Sequence, residues 1–68
     1  MLYAEWDGRT VELYNQNRTH WRTIRVNHNV VGVQVSPGGS DDNDATVAIA
    51  QDNGHTSLYR ATGQTIRP

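Results

Sequence analysis

The sequence predicts an all-β protein of about seven short antiparallel strands, and three observations predict it. Apolar and polar residues alternate with a period of two through most of the chain, as in "TVELY", "VVGVQVS" and "TVAIAQ", and that period puts one face of a strand toward a core and the other toward solvent. The turn-forming pairs Asp7-Gly8, Asn53-Gly54 and Thr62-Gly63 fall between those stretches, where hairpins need residues that accept positive φ. No segment sustains an apolar period of 3.6 residues, so no substantial helix is expected.

The elements follow in order. "LYAEW" places Leu2, Ala4 and Trp6 on one side and Tyr3 and Glu5 on the other. Asp7-Gly8 then suits a type I′ turn into "TVELY", where Val11 and Leu13 alternate with Thr10, Glu12 and Tyr14. "NQNR" leads to "HWRTIRV", and "NHN" leads to "VVGVQVS", with Val31, Val33 and Val35 on one face. "SPGGSDDND", Ser36 to Asp44, combines Pro, two Gly and three Asp and reads as a long mobile connection. Beyond it "TVAIAQ", the Asn53-Gly54 turn, "TSLYR", the Thr62-Gly63 turn and "QTIRP" complete the set. Pro68 cannot extend a ladder.

Composition limits what such a chain can do alone. Sixty-eight residues make one domain at most, and a chain this short buries a small share of its surface. Three Leu, three Ile and seven Val, with no Phe, supply a thin core, although two Trp and three Tyr add area. No Cys is present, which excludes disulfides, thiolate zinc sites and cysteine nucleophiles. Small domains without such staples gain buried area by self-association. A net charge of -1 argues against an overall basic nucleic-acid binder, and all six positive side chains are Arg. No charged segment precedes an apolar run at the start, and no apolar stretch approaches the ~20 residues of a membrane span, so a soluble cytoplasmic protein is expected.

The two halves of the chain echo each other. Gly8, Thr10, Leu13 and Tyr14 match Gly54, Thr56, Leu58 and Tyr59, and "TIR" at Thr23 to Arg25 matches "TIR" at Thr65 to Arg67. Residues 2–26 and 30–67 therefore read as two unequal copies within one domain spanning 1–68. A period of roughly 40–50 residues built from short strands resembles β-propeller blades, and "LYRATGQTIR" is similar to the way many blades end. The resemblance implies one four-stranded blade from Val31 onward and a three-stranded blade before it that lacks its innermost strand. The Gly-His and Trp-Asp pairs of the tryptophan-aspartate repeat family are out of register here, at Gly54-His55 and Trp6-Asp7. Fewer than two blades cannot close a ring, so homo-oligomerisation is expected to complete the sheets. The alternative is a small Sm-like or SH3-like barrel that binds single-stranded nucleic acid.

Motifs with chemistry are few. His20, His28 and His55 match no metal-ligand spacing, and no nucleophile elbow, phosphate loop or dinucleotide fingerprint occurs. No enzyme activity, metal or cofactor is expected. "SDDND" lacks the alternating spacing of a calcium loop. The stretch "NRTHWRTIRVNHN" gathers Arg18, Trp21, Arg22 and Arg25 without an acid, and these four are the candidate binding residues. Arg beside an aromatic ring could hold phosphate and stack a base. It could equally meet the Asp-rich loop of a second copy, and such a self-contact or a plain solvated face is the favoured reading, since strict alternation puts Trp21 and Arg25 on one face and Arg22 on the other.

Overall fold

A computed structural model of the chain describes all of residues 1–68. Seven strands form, β1 (Tyr3–Asp7), β2 (Thr10–Tyr14), β3 (His20–Arg25), β4 (Val30–Ser36), β5 (Thr46–Gln51), β6 (Thr56–Arg60) and β7 (Thr65–Arg67). They make two antiparallel sheets, one of order β1-β2-β3 and one of order β4-β5-β6-β7. A closed barrel does not form, because no strand of the first sheet pairs with a strand of the second.

One face of each sheet covers the other. Val11, Leu13 and Ile24 from the first sheet and Val30, Val47 and Ile49 from the second form the central cluster, with Val33, Val35 and Tyr59 packed against it. Period-two alternation accounts for this directly: Val11 and Leu13 stand on one side of β2, and Val47 and Ile49 on one side of β5. A second cluster of Leu2, Ala45 and Ala61 closes one end, with Trp21 and Val35 against it. A backbone bond across the junction ties the sheets, from Val30 N to Gly8 O at 2.8 Å.

The hairpins depart from the expected turn types. Asp7 pairs with Thr10, so the first loop is Gly8-Arg9, with φ 58° at Gly8 and no positive φ at Arg9. That pattern belongs to a type II′ turn, with Gly in the first central position. Three of the other four hairpin loops share one five-residue arrangement. Asn15 N donates to Thr19 O, Gln51 N to His55 O and Arg60 N to Gln64 O, while Arg18 N, Gly54 N and Gly63 N donate back to Asn15 O, Gln51 O and Arg60 O. The fourth residue is left-handed in each, at φ 63°, 85° and 94° for Arg18, Gly54 and Gly63.

Arg18 therefore carries a conformation that its two counterparts assign to Gly. An L-residue there is strained by about 1–2 kcal/mol, offset in part by the unfolded-state entropy that Gly adds. Arg18→Gly is expected to raise stability by about 0.5–1 kcal/mol. A shift of the urea midpoint to higher concentration checks it, and a lower midpoint would count against the strain argument.

The Ser36–Asp44 connection, expected to be mobile, is a folded turn. A 3-10 helix spans Asp42–Asp44, capped by the Asp41 side chain, which accepts from Asn43 N at 2.9 Å. Gly38 lies so close to the backbone of Asp44 that a Cβ would fall 1.9 Å from Asp44 O. The N-terminal ammonium lies 3.3 Å from the Asp42 carboxylate.

The segments Leu13 to Arg22 and Leu58 to Arg67 run in step. In the first, Leu13 pairs with Arg22 and Tyr14 with His20, leaving Trp21 as the extra residue of a bulge. In the second, Leu58 pairs with Arg67 and Tyr59 with Thr65, leaving Ile66 as the extra residue. On the preceding strand Ala4 pairs with Leu13 and Tyr3 with Tyr14, as Ala48 pairs with Leu58 and Val47 with Tyr59. The match of one "TIR" to the other is thus corrected: Thr65-Ile66-Arg67 takes the place of His20-Trp21-Arg22 in its sheet, and Thr23-Ile24-Arg25 lies further along β3. The bulge also overturns strict alternation along β3, since an inserted residue brings two successive side chains toward one side.

Candidate functional site

Because each sheet covers one face of the other, the remaining two faces and the junction between them hold the candidate sites. The four residues singled out from sequence do not form one platform. Trp21 turns into the junction, where its Nε1 donates to Ala61 O at 2.8 Å and its ring packs on both apolar clusters. Arg22 follows it: a Cβ on Gly63 would fall 3.0 Å from its Cδ and Nη1. Trp21 and Arg22 together therefore clamp the Ala61–Gly63 loop, a contact that needs a small residue at 61 and none at the Cβ of 63. Arg18 lies in the β2–β3 loop, and Arg25 sits exposed at the far end of β3, opposite Thr10.

The free face of the first sheet is polar and aromatic. Tyr3 opposes Tyr14, Glu5 opposes Glu12, and Glu12 opposes Thr23. The Thr23 hydroxyl donates to the Glu12 carboxylate, and His20 Nε2 stands 3.5 Å from the same carboxylate and 3.1 Å from Thr23 Oγ1. The edge of the Tyr14 ring meets the His20 ring at 5.6 Å. The hydrogen bond from Thr23 holds Glu12 below its ordinary value of 4.5, with smaller help from His20 and Arg25 and against partial desolvation.

This lowered value has a sign in stability. A carboxylate favoured in the folded state contributes above its unfolded value, and the contribution fades as pH falls through the folded one. Wild type is thus expected to exceed Glu12→Gln in stability at pH 6 by more than at pH 3. Urea midpoints of both proteins at the two pH values check this, and a constant gap would show that the carboxylate carries no such stabilisation.

Glu5 has no such partner. Like charges directly opposite destabilise a sheet, and the two ion pairs of the chain use the N-terminal ammonium and His20, so none of the Arg side chains takes part in one. Beside Glu5 an open groove of about 730 Å³ runs between Tyr3, Tyr14, Gln16 and Arg18.

The free face of the second sheet is smoother. Gly32, Ala48, Ala50 and Leu58 make a small-residue platform, half-buried and without a covering element. Arg60, opposite Thr46, and Arg67, opposite Leu58, stand at its margin. Ile66 projects beside them with 43% of its surface exposed, and Tyr3 on the other free face has 54% exposed.

The histidines lie apart. His20 belongs to the Glu12 cluster, whereas His28 and His55 line a polar cleft of about 270 Å³ near Tyr59 and Arg25. No three His, Asp or Glu side chains converge on a point that could hold a metal ion. Sequence reading missed Tyr3, Glu5, Ile66 and Arg67 as surface features. Their signal was available in the paired "LY" motifs, but only the register shows that the two motifs present opposite faces. No helix is long and apolar enough to cross a membrane. Comparison with known protein families, curated proteins and solved structures finds no match for this chain.

Proposed function

We propose that the protein is a non-enzymatic, self-assembling β subunit of the cytoplasm, whose copies build a propeller-like ring with a structural or binding role. One observation carries the reading. Ala4–Leu13 and Ala48–Leu58 are matching cross-strand pairs in two sheets of the same design, yet Leu13 is fully buried against the second sheet and Leu58 is only partly buried, on a face that no second sheet covers. A surface that is core in one sheet and only partly covered in its counterpart is the pattern expected of blades stacked in series. The thin core supports the same reading, because only nine apolar residues are buried and a second copy adds area that one chain lacks.

Single-stranded nucleic acid is the weaker reading. Its stacking ring was to be Trp21, and that indole is engaged with Ala61.

Light scattering behind gel filtration tests the proposal. The expected mass is a fixed multiple of 7.6 kDa that persists on dilution to low micromolar concentration. A particle of one chain throughout that range would end it.

A further inference from the structure

We propose that copies associate head to tail, with the Ile66-Arg67 bulge of one copy seated in the Tyr3–Tyr14 groove of the next. This rests on the self-assembly reading and specifies its contact. The template lies inside the chain. Trp21 and Arg22, the bulge of the first sheet, pack across the Ala61–Gly63 loop of the second, beside Val47, Ile49 and Tyr59.

The registers convert that contact into an intermolecular one. Ile66 and Arg67 occupy the places of Trp21 and Arg22. Tyr3, Glu5 and Tyr14 occupy the places of Val47, Ile49 and Tyr59. Gln16 and Arg18 stand in their shared loop where Ala61 and Gly63 stand in theirs. The groove lined by Tyr3, Glu5, Tyr14, Gln16 and Arg18 is therefore the empty counterpart of the surface that Trp21 and Arg22 already fill.

Charge agrees with shape. Where the receiving face of the second sheet carries Ile49, the groove carries Glu5, which is unpaired and faces Glu12. The arriving bulge brings Arg67, with Arg60 close by, and neither has an acidic partner in its own chain. Such a pair favours association and fixes register. The same template carries Arg67 over Arg18, the counterpart of Gly63, so the contact requires the Arg18 side chain to turn off the loop toward solvent while Arg67 reaches Glu5. Apolar contact agrees too, since Ile66 and Tyr3 are two of the five exposed large hydrophobic residues. A two-fold dimer would join like faces and leave one face of each copy bare, whereas the head-to-tail contact covers both.

Two variants test the direction. Tyr3→Arg/Glu5→Arg spoils the groove and keeps the bulge; Ile66→Asn/Arg67→Ala spoils the bulge and keeps the groove. Each alone is expected to run as a single chain, and an equimolar mixture is expected to give a dimer containing one of each. Wild type that assembles while either variant still reaches wild-type size, or while the mixture stays at single-chain mass, would overturn the head-to-tail contact and leave self-assembly standing. Wild type at single-chain mass would remove both. Glu5→Gln, which changes no shape, guards against misfolding of the double variants. It is expected to weaken association by at least about tenfold, and an unchanged dissociation constant would also overturn the contact.

Discussion

Trp21→Ala is expected to lower the unfolding free energy by about 3 kcal/mol, the low end for loss of a large aromatic because the ring is only half-buried. Two contributions add. The indole bridges the central cluster and the Leu2, Ala45 and Ala61 cluster, and its Nε1 satisfies Ala61 O, whose loss costs about 1 kcal/mol. A chain of 68 residues has a total stability of roughly 3–10 kcal/mol, so this one change consumes much of it. The melting temperature should fall by roughly 12–24 °C, followed by far-ultraviolet circular dichroism at fixed protein concentration, since association adds to apparent stability. Trp21→Phe keeps most of the ring and loses the donor, and should fall between wild type and Trp21→Ala. A melting temperature within a few degrees of wild type for Trp21→Ala would mean that the indole is a surface group, free for a ligand after all.

Leu13→Ala is expected to cost about 2–5 kcal/mol. Leu13 is fully buried at the middle of the first sheet, with Val11, Val47 and Ile49 equally buried around it. Close strand packing on both sides leaves little room for collapse into the cavity, and unrelaxed cavities set the upper part of that range. The informative comparison is Leu58→Ala. Leu58 has the same neighbour in sequence, Tyr, and the same cross-strand partner, Ala, but it lies half-exposed on the free face. Its truncation should cost the fold of one chain less, about 1–2 kcal/mol, because Leu58 is only partly buried and no second sheet closes over its face, so the removed methyl groups leave no enclosed cavity. Urea unfolding of the two variants at equal, low concentration separates them. Equal losses would mean that Leu58 is as buried as Leu13 and that the free face is not free.

Most of the secondary structure was legible in the sequence. All seven strands lie where the alternation places them, within a residue or so at their ends, because period-two burial and β-branched residues act locally and need no knowledge of the partner strand. Turn positions were legible for the same reason. Turn types were not: whether Asn53-Gly54 forms a two-residue or a three-residue loop depends on how β5 and β6 align, and here the Gln51–His55 bonding selects the longer loop with Gly54 left-handed. The Ser36–Asp44 loop misled because Gly, Pro and Asp mark both mobile chain and tight turn. The approach of Gly38 to Asp44 and the Asp41 cap are contacts that composition does not reveal.

The candidate site shows the same division more sharply. Alternation alone separated Trp21 from Arg22, and a one-residue bulge brought them together over the Ala61–Gly63 loop. By itself the sequence determined an all-β chain and the borders of its strands, since each follows from residues near one another along the chain. Only the tertiary structure decided that Leu13 is core while Leu58 is surface, and that Glu5 faces Glu12 without a cation. The physical reason is that a strand offers two faces of equal geometry, and which of them loses its water depends on where the other sheet lies.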